Sequence, residues 1–151
     1  MPSAGSSDSR PERPILFVDR NSGGRSFKQA LEDANIRVTL HDDVFNRKTT
    51  DEAWITDVGE KGWIAVTGDN AITRDALALR HLSRSKLHLF IMHGLNGVCP
   101  EAKAECIIRA YEKMVELSGN RLPPAIWRVG KDGAMRVFDF GKCLARMQKR
   151  R

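Results

Sequence analysis

The residues best placed to do chemistry are aspartates in the N-terminal half. Asp19 closes the apolar run Ile15, Leu16, Phe17 and Val18, and Asp69 follows WIAV by way of Thr67 and Gly68. Asp43 lies in HDDVF, shortly after the alternating run IRVTL, and Asp51 falls in the first turn of the helical stretch TDEAW. If the apolar runs are parallel strands of one sheet, ligands bind outside their carboxyl ends. Asp19, Asp43 and Asp69 fall on that edge, and Asp51 could face back to it. Carboxylates crowded there repel one another, and a hard divalent cation relieves the repulsion. Mg²⁺ takes oxygen ligands while keeping several waters, and such a site activates water and stabilises charge on a phosphodiester. For a single Asp the simpler account is a turn or helix cap worth about 1 kcal/mol.

These acids need elements to hold them. PILFVD and WIAV read as short buried strands, IRVTL as an alternating strand and LHLFIM as a fourth. Helical spacing runs through Phe27, Ala30, Leu31 and Ala34, through Trp54, Ile55 and Val58, and through Ile72, Ala76, Leu79 and Leu82. Thr49 with Glu52 forms a capping box for the second of these helices. HDDVFNRKT reads as a loop, and Asn70 as the N-cap of the third helix. A long fourth helix has Pro100 in its first turn, Gly119 as its C-cap and an apolar stripe through Ile107, Ala110, Tyr111, Met114 and Leu117. Two alternating runs around Lys131, Asp132 and Gly133 are a hairpin signature. This order predicts an α/β three-layer sandwich with a central parallel sheet, plus a C-terminal β-hairpin. The expected boundaries are a disordered tail over 1–13, one domain over 14–141 (core 14–119, hairpin 125–140) and a basic tail over 142–151.

Composition narrows the class. The chain has 151 residues, 41% hydrophobic and 29% charged, enough for one sizeable core. Its longest apolar run is strand-sized, and its first residues lack the apolar region of a secretory signal, so a cytoplasmic protein without a membrane partner is expected. Cysteines 99, 106 and 143 are odd in number and lack CxxC spacing, which argues against a disulfide framework or zinc knuckle. The four histidines have no HExxH spacing. A net charge of +6 and pI near 9.5 favour a polyanionic partner such as RNA or DNA, although part of the excess lies in MQKRR.

Taken in order and at these separations, ILFVDRNSGG, TTDEAW and GWIAVTGDNAI resemble the PIN-like domain family, especially its small VapC-like toxin branch. The resemblance covers residues 14 to 92. It implies a PIN-type fold, binding of Mg²⁺ or Mn²⁺, and RNA cleavage. On its pattern Asp19, Asp51 and Asp69 are the first, second and third acids, which hold the metal and act in catalysis. Asn21 matches the polar residue often found just after the first acid. Ala71 stands where many members carry a fourth acid; Asp75, one turn into the helix, or Asp57 could substitute, but neither sits where the pattern puts it. An antitoxin partner and a homodimer are expectations of the resemblance alone.

Around these acids, Asn21 and Asn70 could support the site, and Thr67 could hydrogen-bond to the metal shell. Arg20, Arg25, Arg47, Lys48 and Arg74 lie near the same edge, where they could hold RNA phosphates. His41 beside Asp42 and Asp43 is a candidate general acid, and His93 after the fourth strand is a second-rank one. Gly23 and Gly24 read as a tight turn, and Trp54, Trp63 and Trp127 as core or hairpin packing. The leading expectation is a metal-dependent ribonuclease, the toxin of a toxin–antitoxin pair. The alternative is a catalytically inactive module binding RNA or a protein partner. A third reading is a receiver-like domain, with Asp69 as phosphoacceptor and a Lys at the end of a fifth strand. It suffers because the chain has no plausible fifth parallel strand carrying that Lys.

Overall fold

Alternate residues along the strands part into two apolar sets, and the computed structural model puts one set on each face of a single sheet. It describes residues 13–19, 24–95, 97–139, 142–143 and 145–146. The elements are β1 (Leu16–Val18), α1 (Arg25–Asp33), β2 (Val38–Leu40), α2 (His41–Val44) and α3 (Asp51–Glu60). They continue as β3 (Ile64–Thr67), a 3₁₀ turn (Asn70–Arg74), α4 (Ala76–Ser83), β4 (His88–Met92), α5 (Pro100–Asn120), β5 (Ala125–Val129) and β6 (Met135–Phe138). The sheet order is β2-β1-β3-β4-β5-β6. β1 to β5 run parallel, and β6 returns antiparallel as an edge strand.

One face carries Val18, Val66, Phe90 and Trp127 under α1 and α5, whose Phe27, Leu31, Ile107 and Met114 are buried there. Trp127 stacks on Phe90 with centroids 4.6 Å apart. The other face carries Phe17, Ala65, Leu89 and Ile126 against Trp54, Ile55, Val58, Leu79 and Leu82 of α3 and α4. Each Val, Leu, Ile, Phe or Met among them contributes about 1.5–3 kcal/mol by leaving water. Trp54 and Trp127 are buried, and Trp63 is half-buried with its ring stacked on Phe17. The three-layer sandwich and C-terminal hairpin expected from the pattern are both present.

Local chemistry sets the boundaries, sometimes one residue from where the pattern puts them. Thr50, not Thr49, caps α3, its hydroxyl accepting the Ala53 N–H. HDDV is no loop: its four residues form α2, which buries His41. The third helix is broken in two. Asp69 accepts the Ala71 N–H to open the 3₁₀ turn, and Asp75 accepts the Leu77 and Ala78 N–H groups to open α4. Asn70 is therefore not the cap, because the acids on either side supply both acceptors. α5 runs past Gly119 to Asn120 and is capped by Arg121. Asn35 enters the left-handed region at φ 65° just beyond α1, where Asn is tolerated. Gly133, at φ 83°, turns the hairpin.

The pairing of strands gives the hairpin its place. Its first strand, β5, pairs in parallel with β4 from His88↔Ala125 to Met92↔Val129. A fifth parallel strand therefore exists, and the hairpin belongs to the central sheet. The turn signature is local, whereas α5 carries the chain back to β4 through contacts remote in sequence. β5 itself contains no Lys.

Candidate active site

Asp19 follows β1, and its backbone N–H bonds to the Val66 carbonyl at 3.2 Å, which sets it beside the end of β3. There the fully buried Thr67 hydroxyl donates to Asp19 Oδ2 at 2.6 Å and accepts the Asp69 N–H at 3.0 Å. The shorter bond lies in the range of charge-assisted O–H···O⁻ bonds. One side chain thus ties together the two strand ends that bear Asp19 and Asp69. Asp69 is exposed, with Oδ1 accepting the Ala71 N–H at 2.9 Å. Asn70 reaches the Gly68 carbonyl through Nδ2 at 3.5 Å. Its Oδ1 is buried with no partner among the described residues.

Asp51 is the first residue of α3. Its Oδ1 accepts the indole N–H of buried Trp54 at 3.0 Å. Asp43, in α2, is gripped by Arg25 at 2.6 Å and Lys28 at 3.3 Å. The Arg25 hydrogen bond, reinforced by Lys28 against some desolvation, holds its carboxyl below the usual carboxylate value. Asp75 is occupied as a helix cap. Asn21 and Arg20 lie outside the described residues.

Arg47 and Lys48 are exposed between α2 and α3, and Arg74 is exposed at the end of the 3₁₀ turn. His41 is 3% exposed, packed against Phe17 and Phe45 with Nδ1 3.3 Å from Asp42. That burial is unlike a general acid reaching solvent. His93 is exposed just after β4. A cavity of about 630 Å³ opens at the opposite end of the sheet, among Pro14, Ile64 and His88 at the strand starts, far from these acids.

The donors that meet at the carboxyl edge are oxygens, the type that suits Mg²⁺ or Mn²⁺, and the orphaned Asn70 oxygen has the same character. Among the described residues, no three His, Cys, Asp or Glu side chains gather around one point that could hold an ion. The edge thus fits a hard cation in donor chemistry, although no three of its acids meet at one point among the described residues. Thr67 also begins a row across the sheet, Thr67↔Ile91↔Arg128↔Arg136. Neither arginine carries a motif that marks it in the sequence. Alternation in β5 gives the face of Arg128, but its link to Thr67 depends on strand pairing.

Comparison with known proteins gives the class. The family model described as "PIN like domain" matches residues 14–94. The chain belongs to that PIN-like domain family. It is also 31% identical over 91 residues to ribonuclease VapC45, a provisional designation, of Mycobacterium tuberculosis (strain ATCC 25618 / H37Rv). That alignment covers 54% of this chain and spans 66% of the relative's length. No solved structure matches significantly. β5 and β6, which carry Arg128 and Arg136, lie beyond the family match. No helix among the described residues is long and apolar enough to cross a membrane.

Proposed function

We propose that this chain is a metal-dependent endoribonuclease and the toxin of a toxin–antitoxin pair acting in the cytoplasm. The observation that carries the reading is the hydrogen-bonded line from Asp69 through Thr67 to Asp19 at the carboxyl edge of a PIN-like sheet. Asp19, Asp51 and Asp69 would hold Mg²⁺ or Mn²⁺, which when bound activates water and offsets charge on the phosphodiester. Thr67 orients Asp19, and Asp69 keeps its place through the cap it makes to Ala71. Arg20, Arg47, Lys48 and Arg74 hold flanking phosphates, with Arg25 shared between Asp43 and the substrate. Asn21 and Asn70 supply further polar contacts. A separate antitoxin protein covers the site, and the enzyme works as a homodimer.

The test is Asp19→Asn and Asp69→Asn, assayed for Mn²⁺-dependent RNA cleavage and for growth arrest. Each substitution is expected to lower cleavage by roughly 10²–10⁴-fold. Unchanged cleavage and arrest in both variants overturn the reading. Two observations favour a second reading, a catalytically inactive module that binds RNA or a protein: Ala71 replaces the fourth acid, and Asp51 is engaged by Trp54. RNA binding with no cleavage by the wild type in Mg²⁺ or Mn²⁺ selects it.

A further inference from the structure

We infer that Arg128 and Arg136 bind the phosphate backbone of RNA in line with the row that starts at Thr67, the side chain bonded to Asp19. The inference rests on the nuclease reading and adds a substrate contact in the part of the chain beyond the family match. Residues aligned across a sheet share a face. Thr67, Ile91, Arg128 and Arg136 are aligned in successive strands, and Ile91 points to the α3/α4 side. Strands are spaced by roughly 4.8 Å, so Arg128 stands about 10 Å from Thr67 and Arg136 one strand further. Thr67 and Ile91 are buried, so a single strand whose reacting phosphate lies at the acids runs past the carboxyl ends of these strands, and in that direction its next phosphates reach the two arginines.

The state of Arg128 points to an anionic ligand. Its guanidinium carbon lies 5.2 Å from the centroid of the Phe138 ring, a stack that fixes the plane of the fork. Its Nε is buried and has no hydrogen-bond partner among the described residues. A buried charged donor left unpaired is costly and rare, and phosphate oxygens match the guanidinium fork. Neither Arg128 nor Arg136 is ion-paired among the described residues. Arg25, by contrast, is already paired with Asp43.

The chain after β6 adds charge to the same side. Cys143 packs against the α3/α4 cluster with Sγ 3.7 Å from the Thr73 carbonyl. Exposed Lys142 lies beside it and exposed Arg146 a few residues on.

The experiment measures binding of the full chain to a short fluorescein-labelled single-stranded RNA of mixed sequence, by anisotropy in EDTA over a salt series. Mn²⁺-dependent cleavage by the wild type is measured in parallel. Arg128→Gln and Arg136→Gln are each expected to weaken binding about tenfold and to flatten the slope of log Kd against log salt by about 0.7 per lost contact. Arg136 is exposed, so Arg136→Gln reports on binding even if Arg128→Gln fails to fold. Arg128→Lys, which keeps the charge without the planar fork, should recover only part of the loss. Wild-type affinity and slope in both Gln variants overturn the inference and leave the row to an acidic protein partner. Wild type that binds without cleaving, while both variants bind weakly, overturns the nuclease reading and keeps the RNA contact.

Discussion

The Thr67 hydroxyl stands between Asp19 and the backbone of Asp69, donating to the first at 2.6 Å and accepting from the second at 3.0 Å. Thr67→Val keeps the shape but removes both bonds in a fully buried place. It should cost about 1–3 kcal/mol, seen as a lower melting temperature, and lower RNA cleavage roughly 10- to 100-fold as Asp19 loses its orienting partner. Thr67→Ser restores the hydroxyl and should recover most of both. If Ser rescues stability but not cleavage, Thr67 has no positioning role.

Asp51 offers a separation of packing from charge. The indole N–H of Trp54, a residue only 2% exposed, donates to its Oδ1. Asp51→Ala should destabilise by about 1–3 kcal/mol because the donor loses its partner. Asp51→Asn keeps an acceptor and should change stability by less than about 0.5 kcal/mol. Lost cleavage in Asp51→Asn at unchanged melting temperature assigns Asp51 to the metal. Unchanged cleavage assigns it to Trp54 alone.

Asp43 predicts a dependence on acid. Arg25 and then Lys28 lower its pKa in the folded state, so the native protein binds this proton less readily than the unfolded chain. The contribution is fully present above the unfolded value near pH 4 and is lost as pH falls through the lower folded value. The wild-type advantage over Asp43→Asn should be constant above about pH 5 and shrink below about pH 4. Arg25 is 72% exposed, so screening keeps that advantage under about 1 kcal/mol, and added salt should reduce it. Chemical denaturation across pH measures it.

Gly59 is needed for close approach. A Cβ there would meet the backbone of Lys86 and Leu87 at 3.1 Å, so Gly59→Ala should cost roughly 1–3 kcal/mol. Gly119 in α5 faces open space, and Gly119→Ala should be neutral or stabilising by up to about 1 kcal/mol. Thermal melts of the two variants compare them directly.

Much of this protein could be read from local pattern. Strand ends appear as changes from apolar to polar, so Asp19 and Asp69 could be put at the carboxyl edge, and helical spacing placed the faces that pack on the sheet. Caps were harder. Asp69 and Asp75 divide one apparent helix into a 3₁₀ turn and α4, since several neighbouring polar side chains could have accepted the same N–H groups. What pairs with what was beyond the sequence: the Arg25 contact to Asp43, the parallel pairing of β5 with β4, and the row joining Thr67 to Arg128. The sequence by itself determined the alternation of elements and which acids end them, because a side chain's period depends on its near neighbours. Only the tertiary structure decided which charges are already neutralised and which arginines share a row with Thr67. Strand register and ion pairing arise from packing between residues far apart along the chain.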